Sequence, residues 1–355
     1  MRPLSCVLRQ RPSGYTDEVR CSLESLAEMQ LLAGCLRGNR TLTHMTLNSL
    51  RVEQIPILAM ALRTNNVLKN LEVIGVSRVL GGQSIVRLPV PELNGLQEGG
   101  SSERIDLSSS CLEGTITRVT CAMIGTLVAT NTVLRSLDFS GTGVGLAIGA
   151  EGEGGHILFK PLCESADCRV NEVVLNSTQL NDKAGGKLIG ALSNGLGQGG
   201  LGYEKITSLS LADNDLGKQF ASALKELLWG QRAPCVLQSL DVSSNPNLDG
   251  FELAVTLKRN ESLTSLDIRG VPGANTAEIY SFIGSHLLTA ECMCKLGFLS
   301  CDAFQVIPGQ ESLEYGTDET DCEITTSMSA ADATKENPII VLLAGVVKFN
   351  TSLKM

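Results

Sequence analysis

The chain has 355 residues, 43% of them hydrophobic and 19% charged, with a net charge of −9. That balance supplies a substantial core. No stretch concentrates Lys and Arg, which argues against nucleic acid and against an anionic membrane surface as partners, and no apolar run approaches the ~18 residues of a spanning helix.

Aromatic residues make up 4% of the chain, with Trp229 the single tryptophan, so the core must be aliphatic. Of twelve cysteines, Cys35, Cys111, Cys121 and Cys235 fall at positions that read as core, where a free thiol acts as a small hydrophobe. With no apolar signal core in "MRPLSCVLRQRPSGYTDEVR", the reading is a reduced compartment, the cytoplasm with the nucleus as the alternative. Residues 1–20 read as a flexible lead-in.

From Asn39 onward the sequence repeats itself. "NRTLTHMTL" at Asn39, "NNVLKNLEV" at Asn65, "NTVLRSLDF" at Asn131, "NESLTSLDI" at Asn260 and "NTSLKM" at Asn350 share N-x-x-L, which the first four continue as x-x-[LM]. "SERIDLSSSCL" at 102, "VNEVVLNSTQL" at 170, "ITSLSLADNDL" at 206 and "LQSLDVSSNPNL" at 237 share the second half. The common frame is L-x-x-L-x-L-x-x-[N/T/S/C]-x-L. Its alternation of period 2 predicts short strands starting at 42, 68, 102, 134, 170, 206, 237 and 263, each with two apolar residues on one face and the residue between them on the other. A single unit cannot bury its own apolar column; stacked units can. Ile206, Leu209, Leu211 and Leu216 form one such column, and Leu237, Leu240, Val242 and Leu248 the next.

Helical patterns follow the strands. "KAGGKLIGALSNGL" places Leu188, Ile189, Leu192 and Leu196 on one face, and "GKQFASALKELLWG" places Phe220, Leu224, Leu227 and Leu228 likewise. "FELAVTLKRN" and "AEIYSFIGSHLL" continue the pattern. The Asn of N-x-x-L is expected to close each helix in the left-handed conformation that asparagine tolerates. Glycine-rich insertions at 94–102, 141–155 and 195–203 read as solvent-facing loops. The turn position after the strand is Asn only at Asn214 and Asn245. Ser110, Thr142 and Thr178 are partial substitutes; Leu50, Val76 and Val271 are not, so their turns should be distorted or bonded differently.

The repeats run over 21–290 and degenerate over 291–355. A ninth strand is expected on Met293, Leu296 and Phe298, a tenth at "QESLEYG", an exposed acidic loop at about 316–336 and a last helix at 338–349. An uncapped repeat at the end would face water, which makes a longer protein or a covering partner part of the expectation.

The frame resembles a leucine-rich repeat, and more closely the long, ribonuclease-inhibitor-like subtype, over about residues 40–290. The resemblance implies an α/β solenoid, a curved horseshoe with a parallel β-sheet on the concave face and helices on the convex face. It also implies a protein–protein role, with the partner held on the concave face or rim.

Chemistry has little support. Gly141-x-Gly143-x-Gly145 lacks the third spacing of a dinucleotide loop. "AGGKL" and "DLGKQ" lack the earlier glycine and the hydroxyl of a phosphate-binding P-loop. Cys292, Cys294 and Cys301, and Cys163 with Cys168, have no strong zinc spacing. His44, His156 and His286 form no local motif. The sequons at Asn39, Asn176, Asn260 and Asn350 read as by-products of the repeat. No catalytic residue, metal or cofactor is expected.

The residues between the two core positions of each strand form the candidate binding column: Asp106, Asp138, Asp241 and Asp267, with Ser210 at the equivalent place and Asn176, Ser243 and Arg269 just beyond. A partly acidic face suits a basic protein partner; the competing reading is that Asp merely keeps the strand face soluble. The expected function is therefore a non-enzymatic protein-interaction scaffold. The alternatives are a GTPase regulator of the kind that activates the small GTPase Ran, which shares this repeat type, and the sensor segment of a larger immune or signalling receptor.

Overall fold

The computed structural model describes residues 5–9, 18–22, 25–48, 50–76, 83–94, 103–108, 118–149, 158–159, 162, 165–194, 205–229, 235–289, 292–308 and 337–350. It is a mixed α/β structure in which parallel strands alternate with helices. It divides into two compact units: residues 1–179 with 197–205, and residues 180–196 with 206–355.

The first unit opens with β1 (Ser5–Arg9), β2 (Glu18–Ser22), α1 (Leu26–Arg37) and β3 (His44–Asn48). A 3-10 turn, Val52–Gln54, leads into α2 (Ile55–Leu62), then β4 (Asn70–Val76), β5 (Gln83–Pro89) and α3 (Val90–Asn94). β6 (Arg104–Asp106), α4 (Arg118–Val128), β7 (Ser136–Asp138), α5 (Val144–Gly149) and β8 (Glu172–Val174) follow.

The strands of this unit form two ladders. β2, β3 and β4 are parallel and in register, Val19 beside Met45 beside Leu71 and Cys21 beside Leu47 beside Val73. β6, β7 and β8 are likewise parallel, Ile105 beside Leu137 beside Val173. β1 pairs antiparallel with β2 and β5 antiparallel with β4, so both edges of the first ladder end in a reversed strand.

Three of these features correct the sequence reading. The lead-in expected over 1–20 contains β1 and most of β2, because Val19-x-Cys21 continues the apolar alternation with smaller residues. The single parallel sheet is interrupted by β5. Val76 stands where the turn residue should be, and β4 runs on for seven residues into an antiparallel pairing. Cys35, expected in the core, is exposed, while Cys121 is buried and Cys235 half-buried; Cys111 lies outside the described residues.

The second unit begins with α6 (Asp182–Asn194) and continues β9 (Ser208–Ser210), α7 (Lys218–Leu228), β10 (Ser239–Asp241), α8 (Gly250–Leu257), β11 (Ser265–Asp267) and α9 (Ala277–Leu288). β12 (Phe298–Ser300), β13 (Gln305–Val306) and α10 (Pro338–Val347) complete it. β9 to β12 are parallel with Leu209, Leu240, Leu266 and Leu299 side by side, and β13 reverses on β12. The two apolar columns expected at 206–216 and 237–248 are buried throughout. So are Leu188, Ile189 and Leu192 on α6 and the four apolar residues of α7; Leu196 lies outside the described residues. Each such side chain contributes about 1.5–3 kcal/mol when fully removed from water.

β12 lies three residues from its expected frame. Leu296, Leu299 and Cys301 point inward, Phe298 is half-buried, and Met293 is 49% exposed. Met293 and Leu296 happen to satisfy the L-x-x-L spacing, but Leu299 is the residue in register with Leu266. The tenth strand and the acidic loop at 316–336 lie outside the described residues.

The turns share one backbone device. The residue just before the turn position has positive φ in five successive repeats: Gly141 (70°), Ser177 (53°), Asp213 (53°), Ser244 (55°) and Gly270 (65°). Gly141 is therefore a turn glycine, and the first glycine of the suspected phosphate loop is accounted for by the repeat. The helix that follows begins at Val144, earlier than the glycine-rich sequence suggests.

The asparagines of N-x-x-L work differently from the expectation. None of Asn39, Asn65, Asn131, Asn260 and Asn350 is among the positive-φ residues. Instead the Asn65 side-chain oxygen accepts the N–H groups of Val67 and Leu68, and its Nδ2 donates to the carbonyl of Leu36 at the end of α1. Asn131 does the same for Val133, Leu134 and Leu93. These side chains satisfy helix-end carbonyls across adjacent units, where backbone partners run out.

Candidate functional site

The strand faces are built by the repeat itself. In each strand the apolar residues on either side of the outward residue point into the core, so that residue is held at a fixed place along the ladder. In the first unit the outward rows are Arg104–Ser136–Glu172 and Asp106–Asp138–Val174. In the second they are Ser208–Ser239–Ser265–Phe298 and Ser210–Asp241–Asp267–Ser300. The sequence-predicted residues thus come together in two groups: Asp106, Asp138 and Asn176 in the first unit, and Ser210, Asp241, Ser243, Asp267 and Arg269 in the second.

Each of the four aspartates has a structural task. Its Oδ1 accepts the backbone N–H two residues on, from Ser108 to Asp106 (2.8 Å), Ser140 to Asp138 (2.9 Å), Ser243 to Asp241 (2.9 Å) and Arg269 to Asp267 (3.0 Å). This local bond turns the chain off the strand. It explains why an acid recurs there and gives weight to the scaffold-only reading of these residues.

Asp106 beside Asp138, and Asp241 beside Asp267, put like charges directly opposite one another, which is unfavourable unless offset. The offset comes from two members of the expected column, Ser210 and Arg269, and from Arg104, which the sequence reading did not single out. Arg104 donates to Asp138 Oδ2 (2.9 Å), Ser210 Oγ to Asp241 Oδ2 (2.9 Å), and Arg269 forms a fork on Asp267 with Nη2 at 2.6 Å from Oδ2. On the first ladder Arg87 and Thr46 both donate to Glu72. The face is therefore mixed in charge rather than an open acidic column.

Exposure separates the candidates. Asp106 and Arg269 are exposed; Asn176, Ser210, Asp241, Ser243 and Asp267 are half-buried; Asp138 is 9% exposed. Burial alone pushes the Asp138 carboxyl up. Hydrogen bonds from the Ser140 hydroxyl and N–H and from Arg104 outweigh it and hold the group below the usual carboxylate range.

Burial favours the protonated form of six thiols. Burial pushes Cys121 up to about 12, and raises Cys168, Cys235, Cys292, Cys294 and Cys301, the opposite of what a nucleophilic cysteine needs. Among the described residues no group of three or more His, Cys, Asp or Glu is placed to hold a metal ion, and no helix is long and apolar enough to cross a membrane. No family model matches the chain, and no curated protein matches it.

Proposed function

We propose that the chain is a leucine-rich-repeat-like solenoid that acts as a non-enzymatic scaffold, holding a protein partner with basic groups against the outward side of its strands. The observation that carries this reading is the in-register row structure. Ser210, Asp241 and Asp267, one residue per strand, keep their side chains at the surface while the flanking Leu, Val and Ile residues build the core. A rigid array of short polar side chains at the ~4.8 Å strand spacing offers regularly placed hydrogen-bond partners at little conformational cost. The acids favour a basic partner through steering as much as through contact, since several are already paired within the chain.

Cross-linking of complexes captured from native extract tests the proposal. Cross-links should map to residues bordering β6–β8 or β9–β12. Cross-links confined to the helices α4 and α7–α9 would reject it.

A further inference from the structure

Among the described residues, Ser136 carries one of three buried polar atoms of the first unit without a hydrogen-bond partner, with Arg63 Nε and Asn94 Oδ1, and it alone of the three lies on a strand. It lies on the outward side of β7, yet it is only 5% exposed, and its Oγ has no hydrogen-bond partner. A buried hydroxyl without a partner is costly to keep. Its row neighbours are Arg104 on β6 and Glu172 on β8, and Asp138 lies on the same side of its own strand two residues on.

The two oxygens of Asp138 are engaged differently. Its Oδ1 takes both the N–H and the Oγ of Ser140, whereas Oδ2 takes Arg104 Nη2. The Arg104 side chain is 61% exposed and the Asp138 side chain 12%. Arg104 therefore reaches diagonally from the row of Ser136 to the row of Asp138, satisfying the acid and leaving the serine unmet. Only the Arg104 end of the pair lies in water, so an exchange of donors must begin there.

We propose that Ser136 Oγ and Asp138 Oδ2 together form a subsite for an arginine side chain of the protein partner, and that Arg104 is a displaceable placeholder for it. A guanidinium carries five N–H donors in a planar fork. Entering from the partner, it gives one donor to Oδ2 in place of Arg104 and another to Ser136 Oγ, which ends the hydroxyl's isolation. Arg104 swings into solvent or toward Glu172. The inference rests on the strand-face reading above and adds to it the kind of side chain recognised and the contact that competes with it.

The test uses the full chain and a peptide of alternating glycine and arginine, with the same peptide carrying citrulline as a charge control. Binding is measured by calorimetry and located by amide NMR shifts. Arg104→Gln should bind the arginine peptide up to about five-fold more tightly than the wild type, which corresponds to losing about 1 kcal/mol of competition for Asp138. Arg40→Gln makes the same change in net charge at an exposed position before β3 and should leave binding at the wild-type level. Adding Ser136→Ala to Arg104→Gln should cut the gain back while raising the melting temperature, a combination that a purely structural serine would not produce. The proposal is overturned if Arg104→Gln gains no more than Arg40→Gln, or if the full gain survives Ser136→Ala. If the peptide still shifts Asp106 and Ser140 in those cases, the strand-face reading stands without the subsite. Shifts confined to the α4 helix, or no binding by any variant, overturn both.

Discussion

Asn245 Nδ2 donates to the carbonyl of Leu211 in the neighbouring strand segment at 3.0 Å. The same amide serves its own turn, donating to Val242 O (2.9 Å) and Ser243 O (3.1 Å), while its Oδ1 accepts Leu216 N–H (3.1 Å). Asn245 is fully buried, so water cannot replace it. Asn245→Ala is predicted to cost about 2–4 kcal/mol, because it leaves buried carbonyls and an N–H unmet. Asn245→Thr should cost less, since Thr142 and Thr178 already donate to Phe139 O and Leu175 O at the equivalent place. Urea unfolding of both variants checks the order.

Asp182 caps a helix that is not its own. It accepts the N–H groups of Gly217, Gln219 and Phe220 at the start of α7, whose N-cap residue, Gly217, has no side chain to offer. Asp182→Ala is predicted to destabilise the second unit by about 1–2 kcal/mol, the usual cost of a lost cap. Asp182→Asn should retain most of the stability. Hydrogen exchange should locate the loss in the first turn of α7.

α9 and α10 meet through glycines. A Cβ on Gly284 would come within 2.6 Å of Leu342 N, and one on Gly345 within 2.8 Å of Leu287 Cβ. Gly284→Ala is predicted to cost about 1–3 kcal/mol by overpacking and to speed hydrogen exchange in Pro338–Val347. Gly190 on α6 has open space around it, and Gly190→Ala serves as the control that should not destabilise.

The turn at Val271 shows how far the pattern could be read from the sequence alone. The missing turn asparagine predicts different bonding there, and Asn275 supplies it, donating to Ile268 O (2.7 Å) and Val271 O (2.8 Å). Which residue would step in was not legible, because it stands four positions away and its reach depends on the path of the loop. The frame likewise announced the parallel strands through their leucines, but it missed β2, where valine and cysteine replace them. It also missed β5, whose antiparallel pairing depends on a partner strand and not on a local period. At the candidate site the positions of the aspartates were legible from L-x-L spacing. Their burial was not, since Asp138 and Asp267 are shielded by Arg104 and Arg269 through side-chain conformations that spacing does not encode.

Asp138 should make the first unit sensitive to acid. Its carboxyl is held below the usual range in the folded chain, so the unfolded chain binds the proton first as pH falls. The stability it contributes is fully present above the unfolded value of about 3.9 and is lost as pH drops toward and through the folded one. Asp138→Asn keeps an acceptor for Ser140 but has no charge to protonate. Thermal melts between pH 5 and pH 2.5 should show a shallower decline for this variant than for the wild type; parallel declines would mean that Asp138 does not carry the dependence.

Partner binding by the triple variant Asp106→Asn, Asp241→Asn, Asp267→Asn is the most direct measurement of the strand-face proposal. Asparagine can still accept the N–H groups of Ser108, Ser243 and Arg269, so the turns and the melting temperature should be preserved while three surface charges disappear. The expected result is at least about a ten-fold loss of affinity for the captured partner, which corresponds to ~1.4 kcal/mol, at unchanged stability. Unchanged affinity in a folded triple variant would contradict the account.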